Sequence, residues 1–159
     1  MADKPIALAC DHAGYGLKQI LAARLGQIGL PVLDLGTDGS ASVDYPDFGA
    51  AMAAALADGR AERGVVICGT GIGISIAANR HPHVRAALCH DATSARLARQ
   101  HNDANVLALG ARLIGEEVAK EALQVFLDTP FDGGRHAGRV AKLGCLGPAP
   151  AITPAHGSP

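Results

Sequence analysis

One stretch of the chain places a cysteine directly before three closely spaced glycines. Cys68 and the loop Gly69–Gly73 follow the apolar run Val65–Ile67 and precede a second apolar segment, which predicts a strand, a loop and a helix. A thiol at a helix N-terminus ionises easily, because unpaired N–H groups and the helix dipole stabilise the thiolate and lower its pKa. Glycines let the backbone approach a ligand closely. The stretch therefore predicts a reactive thiol beside a site for a small anion.

Side chains of acid, base and cation type recur where other predicted elements end. Asp11 and His12 follow the first apolar run, Arg112 follows the last one, and His101 and Asn102 end a helical segment. In open parallel sheets, ligands bind beyond the carboxyl ends of the strands. We therefore expect these residues and the thiol to converge at that edge of the sheet.

Each of these residues also has an ordinary structural explanation. Asp11 is as suitable for an N-cap as for a ligand contact. His101, near a helix C-terminus, is of the type that complements the helix dipole at a surface. Arg112, Arg135 and Arg139, taken singly, are typical of solvated side chains. The functional interpretation depends on their occurring together.

Known cofactor motifs do not match the chain. The glycine loop has the spacing G-x-G-x-G after the third strand, whereas a dinucleotide fingerprint needs G-x-G-x-x-G after the first, and no G-K-[ST] occurs. His81-Pro82-His83 and Cys89-His90 fit no recognised zinc spacing. We therefore expect no cofactor and no metal, and a small anionic molecule as the ligand.

Alternating apolar runs and helical segments predict a parallel sheet that is covered on both faces. The predicted strands are Ile6–Cys10, Pro31–Gly36, a third one that begins at Gly64, Val84–Cys89 and Asn105–Gly110. Helices are predicted after each strand, among them Tyr45–Leu56, one that Asp91 caps, and Ile114–Leu127. The segment from Phe131 to Val140 is polar and basic and departs from this pattern.

The composition is that of an ordinary globular domain, with 159 residues of which 48% are hydrophobic. The net charge of −1 and the 3% aromatic content argue against a nucleic-acid partner. No run of eighteen apolar residues occurs and the first apolar run is too short for a signal peptide, so we expect a cytoplasmic protein with no membrane partner. Four cysteines without C-x-x-C pairing are expected to be free thiols. We expect one domain over residues 1–147 and a disordered tail over 148–159.

Five short motifs occur in order along the chain: Cys10–Gly14, Asp44–Pro46, Cys68–Gly73, Arg99–Asp103 and Gly133–His136. Together they resemble the ribose-5-phosphate isomerase B family, which includes the galactose-6-phosphate isomerase subunits, and the likeness extends from about Ile6 to Val140. The resemblance implies a three-layer α/β/α Rossmann-like fold with a five-stranded parallel sheet. It also implies a homodimer or dimer of dimers with active sites at the subunit interface, no metal, and interconversion of D-ribose 5-phosphate with D-ribulose 5-phosphate.

The resemblance also implies a role for each matching residue. Cys68 resembles the base that removes the proton between C1 and C2, and His101 resembles the acid that opens the sugar ring. The remaining roles are a set of enediolate donors, a sugar-hydroxyl contact and a phosphate clamp. The donors are the N–H groups of Gly69, Thr70, Gly71, Ile72 and Gly73, and the side chains of Thr70 and Asn102 help them, so that Thr70 is expected to be catalytic together with Cys68 and His101. The hydroxyl contact is Asp11, and the clamp is His12, Arg112, Arg135 and Arg139.

Position 74 distinguishes two subtypes within the family. A second subtype lacks the cysteine and has a Glu there as base, whereas this chain has Ile74 and keeps Cys68. The chain therefore resembles the cysteine subtype. Six-carbon substrates such as allose 6-phosphate or galactose 6-phosphate stay open as alternatives, and so does a non-catalytic sugar-phosphate sensor.

Overall fold

The strands of the protein form one parallel sheet, which a computed structural model of the chain describes together with its helices over residues 4–145. The strands are β1 Ile6–Cys10, β2 Val32–Asp34, β3 Arg63–Cys68, β4 Ala86–Leu88 and β5 Val106–Gly110. Their order across the sheet is β2-β1-β3-β5-β4. The predicted five-stranded parallel sheet is confirmed.

Six α-helices connect and follow the strands in the described residues. They are α1 Tyr15–Gln27, α2 Tyr45–Ala57, α3 Ile72–Ala78, α4 Ala92–Asn102, α5 Glu116–Asp128 and α6 Arg135–Leu143, with a short 3-10 turn at His12–Gly14. Asp91 caps α4 as predicted, accepting the Ser94 N–H at 2.7 Å. Helix α6 is the element that the sequence did not predict. None of these helices, in residues 4–145, is long and apolar enough to cross a membrane.

The two faces of the sheet bury separate clusters of side chains, as alternation along a strand requires. On one face, Leu21 of α1 and Phe126 of α5 pack with Leu8 of β1 in a cluster that also includes side chains of α4. On the other face, Met52 of α2 and Ile74 of α3 pack in a smaller cluster. The three-layer α/β/α architecture is therefore confirmed.

The edge strands are shorter and less buried than the sequence suggested. The apolar run Pro31–Gly36 predicts a buried strand, but β2 pairs over three residues only and its side chains are half-buried or exposed. Strand β4 is likewise half-buried. Both lie at the sheet's edges with one neighbour each, so apolar composition alone overstated their burial.

Parallel strands give the sheet a carboxyl edge and an amino edge. Cys68 pairs with Gly110 at the carboxyl edge, and Gly64 pairs with Val106 near the amino edge. Helices α1 to α5 each follow a strand and return the chain from the carboxyl edge to the amino edge. The end of each of these helices therefore lies opposite the loops that follow the strands. The predicted tail, 148–159, lies outside the described residues, and the domain limits 1–147 stay a prediction.

Candidate active site

Cys68 lies at the carboxyl edge with its thiol held by the glycine loop, which comprises Gly69–Gly73. The residue is 4% exposed, and its Sγ accepts the N–H of Gly71 at 3.1 Å. Gly71 has a φ of +76°, and a Cβ there would come within 2.6 Å of the Leu88 side chain. Only glycine fits this conformation and this close approach. The loop therefore directs a backbone donor at the sulfur.

Part of the loop's hydrogen-bonding capacity is used within the loop itself. The N–H of Gly71 is taken by the thiol, and the N–H of Ile72 donates to Thr70 Oγ1 at 3.2 Å. Within the described residues, the N–H groups of Gly69, Thr70 and Gly73 donate no hydrogen bond. A tight turn thus satisfies some of its own donors, while the assignment of the N–H groups from Gly69 to Gly73 to a ligand stays a prediction.

Arg112 lies against the same loop. Its N–H donates to the carbonyl of Gly69 at 2.9 Å, and a Cβ on Gly69 would stand 3.2 Å from the Arg112 guanidinium. The guanidinium thus packs on the bare Cα of Gly69. This places a fixed cation next to the thiol loop, as expected for an anion site.

Asp11 is an N-cap, which is the structural explanation that the sequence offered for it. Its Oδ1 accepts the N–H groups of Ala13 at 3.0 Å and Gly14 at 3.1 Å, which caps the 3-10 turn. The residue is 6% exposed, and its second oxygen, Oδ2, makes no hydrogen bond within residues 4–145. The cap fixes the carboxylate and leaves Oδ2 able to accept from a ligand hydroxyl.

His12 lies on the same 3-10 turn and contacts the backbone of Val43. Its Nδ1 is 3.2 Å from the Val43 nitrogen and 3.3 Å from the Val43 oxygen. The neutral ring accepts the N–H there, and the imidazolium donates to the carbonyl. In both states Nε2 carries a proton that can be donated to an anion. Asp11, His12, Cys68, the glycine loop and Arg112 are called the carboxyl-edge cluster below.

A second group of predicted residues lies where α4 ends and α6 begins. His101 stacks on His136 with ring centroids 4.4 Å apart and planes inclined by 8°. Partial desolvation lowers the pKa of His136, and the positive charges of His101, Arg135 and Arg139 act in the same direction against the opposing effect of Asp132. His101, Asn102, Arg135, His136 and Arg139 are called the amino-edge cluster.

The buried side chain of Arg99, which is 5% exposed, fixes the end of α4. Its guanidinium donates to Asp103 Oδ1 at 2.9 Å and to the Ala104 carbonyl at 2.6 Å, and its face lies over the Phe126 ring. Asn102, three residues on, borders a surface hollow of about 350 Å³ together with Asn79. The amino-edge cluster is thus exposed, but the helix end that carries His101 and Asn102 is held in place by the contacts of Arg99.

The predicted site residues do not converge within one chain. His101 and Asn102 end a helix and lead into the amino end of β5, whereas Cys68 ends β3 at the carboxyl edge. The residues from Gly64 to Cys68 span about 13 Å of extended strand, which separates the two edges. The expectation of a single edge was wrong for His101 and Asn102, because a crossover helix returns the chain to the amino edge.

His136 lies in the amino-edge cluster but was not among the site residues predicted from the sequence. The Gly133–His136 motif gave a signal, since a histidine between two predicted clamp arginines stands near any ligand they bind. Cys10 and Cys89 behave as ordinary buried residues, because burial raises the pKa of Cys10 to about 11 and raises that of Cys89, whereas Cys145 is exposed. In residues 4–145, no three His, Cys, Asp or Glu side chains cluster in a way that could hold a metal ion.

Comparisons with known proteins agree on one family. A profile described as Ribose/Galactose Isomerase matches residues 6–143. Ribose-5-phosphate isomerase B of Escherichia coli is 47% identical over 140 residues, which cover 88% of this chain and 94% of that protein. D-erythrulose-4-phosphate isomerase of Pectobacterium atrosepticum is 46% identical over 140 residues, or 87% and 92% of the two chains. The solved ribose-5-phosphate isomerase B of Clostridium thermocellum superposes with a TM-score of 0.87 at 51% identity, covering 88% of this chain and 95% of that one.

Proposed function

The chain belongs to the ribose/galactose isomerase family, and we propose that it interconverts D-ribose 5-phosphate and D-ribulose 5-phosphate. One structural observation carries the chemical part of the proposal: a nearly buried thiol, Cys68, receives a backbone N–H at the floor of a glycine loop. A base so placed suits proton transfer between adjacent carbons. The buried Ile74 of α3 leaves no carboxylate at the position where the second subtype has its base.

The Cys68 thiolate takes the proton from C2 of the open-chain aldose. The electron pair of the broken C–H bond forms the C1–C2 double bond, and O1 becomes the enediolate oxygen. The proton on O2 then passes to O1, and a proton returns from the thiol to C1, which leaves the ketone at C2. Free N–H groups of Gly69, Thr70 and Gly73 are the backbone donors for the negative charge that develops.

The amino-edge cluster supplies the acid and part of the phosphate clamp. His101 donates a proton to the ring oxygen of the cyclic aldose, which opens the ring before isomerisation. Arg135 and Arg139 hold the phosphate together with His12 and Arg112 of the other cluster, since guanidinium groups bind phosphate oxygens in pairs. Asn102 helps to hold the enediolate, and Asp11 Oδ2 accepts from a sugar hydroxyl.

A second copy of the chain completes the site, because the two clusters lie at opposite edges of one sheet. Helix α3 begins at the glycine loop and leads to Asn79, which borders the hollow beside Asn102. Two copies that pack α3 antiparallel about a two-fold axis bring each glycine loop to the hollow of the other copy. Ile72 and Ile76 of α3 are 49% and 60% exposed, which supports this face as the contact.

Helix α6 supports the same arrangement. It has no buried residue, and Leu143 is 55% exposed. A nine-residue helix without a buried face is marginal in isolation, so a covering partner stabilises it. We infer a homodimer or a dimer of dimers. The cytoplasmic location stays a prediction.

The test is a comparison of kcat/KM across aldose phosphates of four, five and six carbons with the unmodified protein. We expect D-ribose 5-phosphate to give the highest value, and allose 6-phosphate, galactose 6-phosphate and erythrose 4-phosphate to give lower ones. A higher kcat/KM with a six-carbon substrate would show that the proposed substrate is wrong and that the proposed isomerisation is right. Binding of ribose 5-phosphate without any turnover would identify a sensor and contradict the proposal.

A further inference from the structure

Lys18 of α1 is the one charged side chain with no exposed surface among residues 4–145. Its Nζ donates to both carboxylate oxygens of Asp34, at 2.6 and 2.8 Å, and to the carbonyl of Thr37 at 2.8 Å. These contacts use all three ammonium protons. A buried ammonium is costly unless it is paired and hydrogen-bonded in this way. The mechanism described above does not use Lys18, so the reason for its position must lie in what it holds.

The contacts of Lys18 hold the start of the segment Gly36–Asp44, which is called the β2–α2 loop. Asp34 Oδ1 also accepts the N–H of Gly36 at 2.8 Å. The N–H of Thr37 donates to the Cys10 carbonyl at 2.8 Å, and the N–H of Cys10 donates to the Gly36 carbonyl at 2.7 Å. The loop is therefore tied to the end of β1, directly before Asp11.

The far end of the β2–α2 loop contacts both parts of the carboxyl-edge cluster. Val43 holds His12 Nδ1 through its backbone, and Tyr45, the first residue of α2, lies against the glycine loop. A Cβ on Gly73 would come within 2.7 Å of the Tyr45 ring. A shift of this loop thus moves a phosphate-binding histidine and the donor loop together.

Packing alone does not hold this loop. Every residue from 36 to 44 is half-buried or exposed, so the hydrogen bonds at its start carry much of the constraint. Lys18 supplies one of these bonds directly and orients Asp34 for another. Removing its charge therefore releases the loop without opening the core, since the lysine stem is apolar.

We propose that Lys18 is a positioning residue for the phosphate-binding half of the site: paired with Asp34, it anchors the β2–α2 loop and thereby orients His12. The proposal rests on the proposed function for the identity of the anion. It deepens that function, because it names a residue that acts on substrate affinity through a loop rather than by contact. It does not place Lys18 among the catalytic residues.

The test is Lys18→Met, which keeps the apolar stem and a similar volume and leaves the partly exposed Asp34 in contact with water. We expect the amides of Thr37 and Val43 to exchange with solvent at least about tenfold faster. We expect KM for ribose 5-phosphate and the inhibition constant of inorganic phosphate to rise together by about tenfold, with kcat within about threefold of wild type. Lys120→Met is the matched control, since Lys120 pairs with Glu116 and Glu117 at the surface of α5. It should change none of these quantities.

The double variant Lys18→Met with Asp34→Asn tests the proposal even if Lys18→Met alone fails to fold. It removes both charges, which is often neutral for stability, so it should unfold at the wild-type temperature and still show the raised KM. Wild-type KM in a folded variant would overturn the proposal, and so would an unchanged exchange rate at Val43. Exchange and phosphate binding need no turnover. Absence of isomerase activity in the wild type would therefore overturn the proposed function, while those two measurements would still decide the role of Lys18.

Discussion

The carboxyl-edge cluster and the amino-edge cluster are built in different ways. The first is part of the sheet: Cys68 ends a central strand, and turns at β1 and β5 hold Asp11 and Arg112. The second consists of side chains on the surfaces of α4 and α6, where the buried Arg99 fixes the end of α4. One half of the site is therefore formed when the chain folds.

The difference separates the base, Cys68, from two of the arginines that bind the phosphate, Arg135 and Arg139. Proton abstraction needs a base held to within a fraction of an ångström, and a strand end in a packed sheet provides that. A phosphate carries its charge on several oxygens and tolerates mobile arginines. We therefore expect a change at Cys68 of the first cluster to affect kcat most, and a change at Arg135 or Arg139 of the second cluster to affect KM most.

Replacing the thiol should have the largest effect. Cys68→Ser removes the base and keeps the shape, so kcat should fall by about 10²- to 10⁴-fold, the usual contribution of a general base. Binding of ribose 5-phosphate, measured by calorimetry, should stay within a few-fold of wild type. The control is Cys145→Ser, because Cys145 is exposed and outside both clusters. Substantial turnover in Cys68→Ser would end the assignment of the base.

Mixing two inactive variants tests whether the clusters join across two copies. Cys68→Ser and His101→Ala, each alone, should be nearly inactive. After unfolding together and refolding, a mixed dimer contains one site with both wild-type residues, so a one-to-one mixture should recover about a quarter of the wild-type activity. Recovery at the level of either parent would show that the two residues do not act in one intersubunit site.

Shortening a clamp arginine should have a smaller effect and a different kind. Arg135→Ala should raise KM by about 10- to 100-fold, since a hydrogen bond to a charged group contributes about 1.5–3 kcal/mol. Turnover at saturation should change little, because phosphate binding is largely uniform between ground state and transition state. Arg60→Ala, on the turn after α2, is the control. A fall in kcat without a rise in KM would contradict the division of roles between the base and the clamp arginines.

The smallest effect should come from the titration of His136. Its lowered pKa means that the folded protein binds fewer protons than the unfolded chain near pH 6. The free energy of unfolding should therefore rise with pH through this range and fall on acidification. His136→Phe keeps a stacked ring and removes the titration, so urea unfolding at pH 5, 6 and 7 should show a flatter profile. A profile in His136→Phe as steep as that of the wild type would contradict this prediction.

The sequence predicted the central strands well, because β1, β3 and β5 are apolar on both faces and buried on both. It predicted the edges less well, since an apolar run such as Pro31–Gly36 does not reveal how many neighbours a strand has. The sequence did not predict helix α6, because this helix buries none of its residues and so has no apolar face that a helical spacing could reveal. Its formation depends on contacts that local sequence does not encode.

Which residues are candidates for the site follows from their types and their order in the sequence, but where each of them lies in the fold does not. His101 stands in sequence between two strands, and only the direction of α4 decides at which edge it lies. The return direction of crossover helices would have located it at the amino edge. The sequence also does not show which N–H groups of the glycine loop are bonded within the loop, because those hydrogen bonds depend on the backbone conformation at Gly71.

The burial of Cys10 has a practical consequence for labelling. A thiol with a pKa of about 11 keeps its proton at the pH of most alkylation experiments, and Cys89 is also buried with a raised pKa. Haloacetamides react with thiolates, so these two positions should stay unmodified in the folded protein. Cys145 is the exposed competitor among the described thiols. In a Cys145→Ser background, any alkylation that remains among the described thiols is therefore assigned to Cys68, and its rate measures how far a reagent can reach this 4%-exposed sulfur.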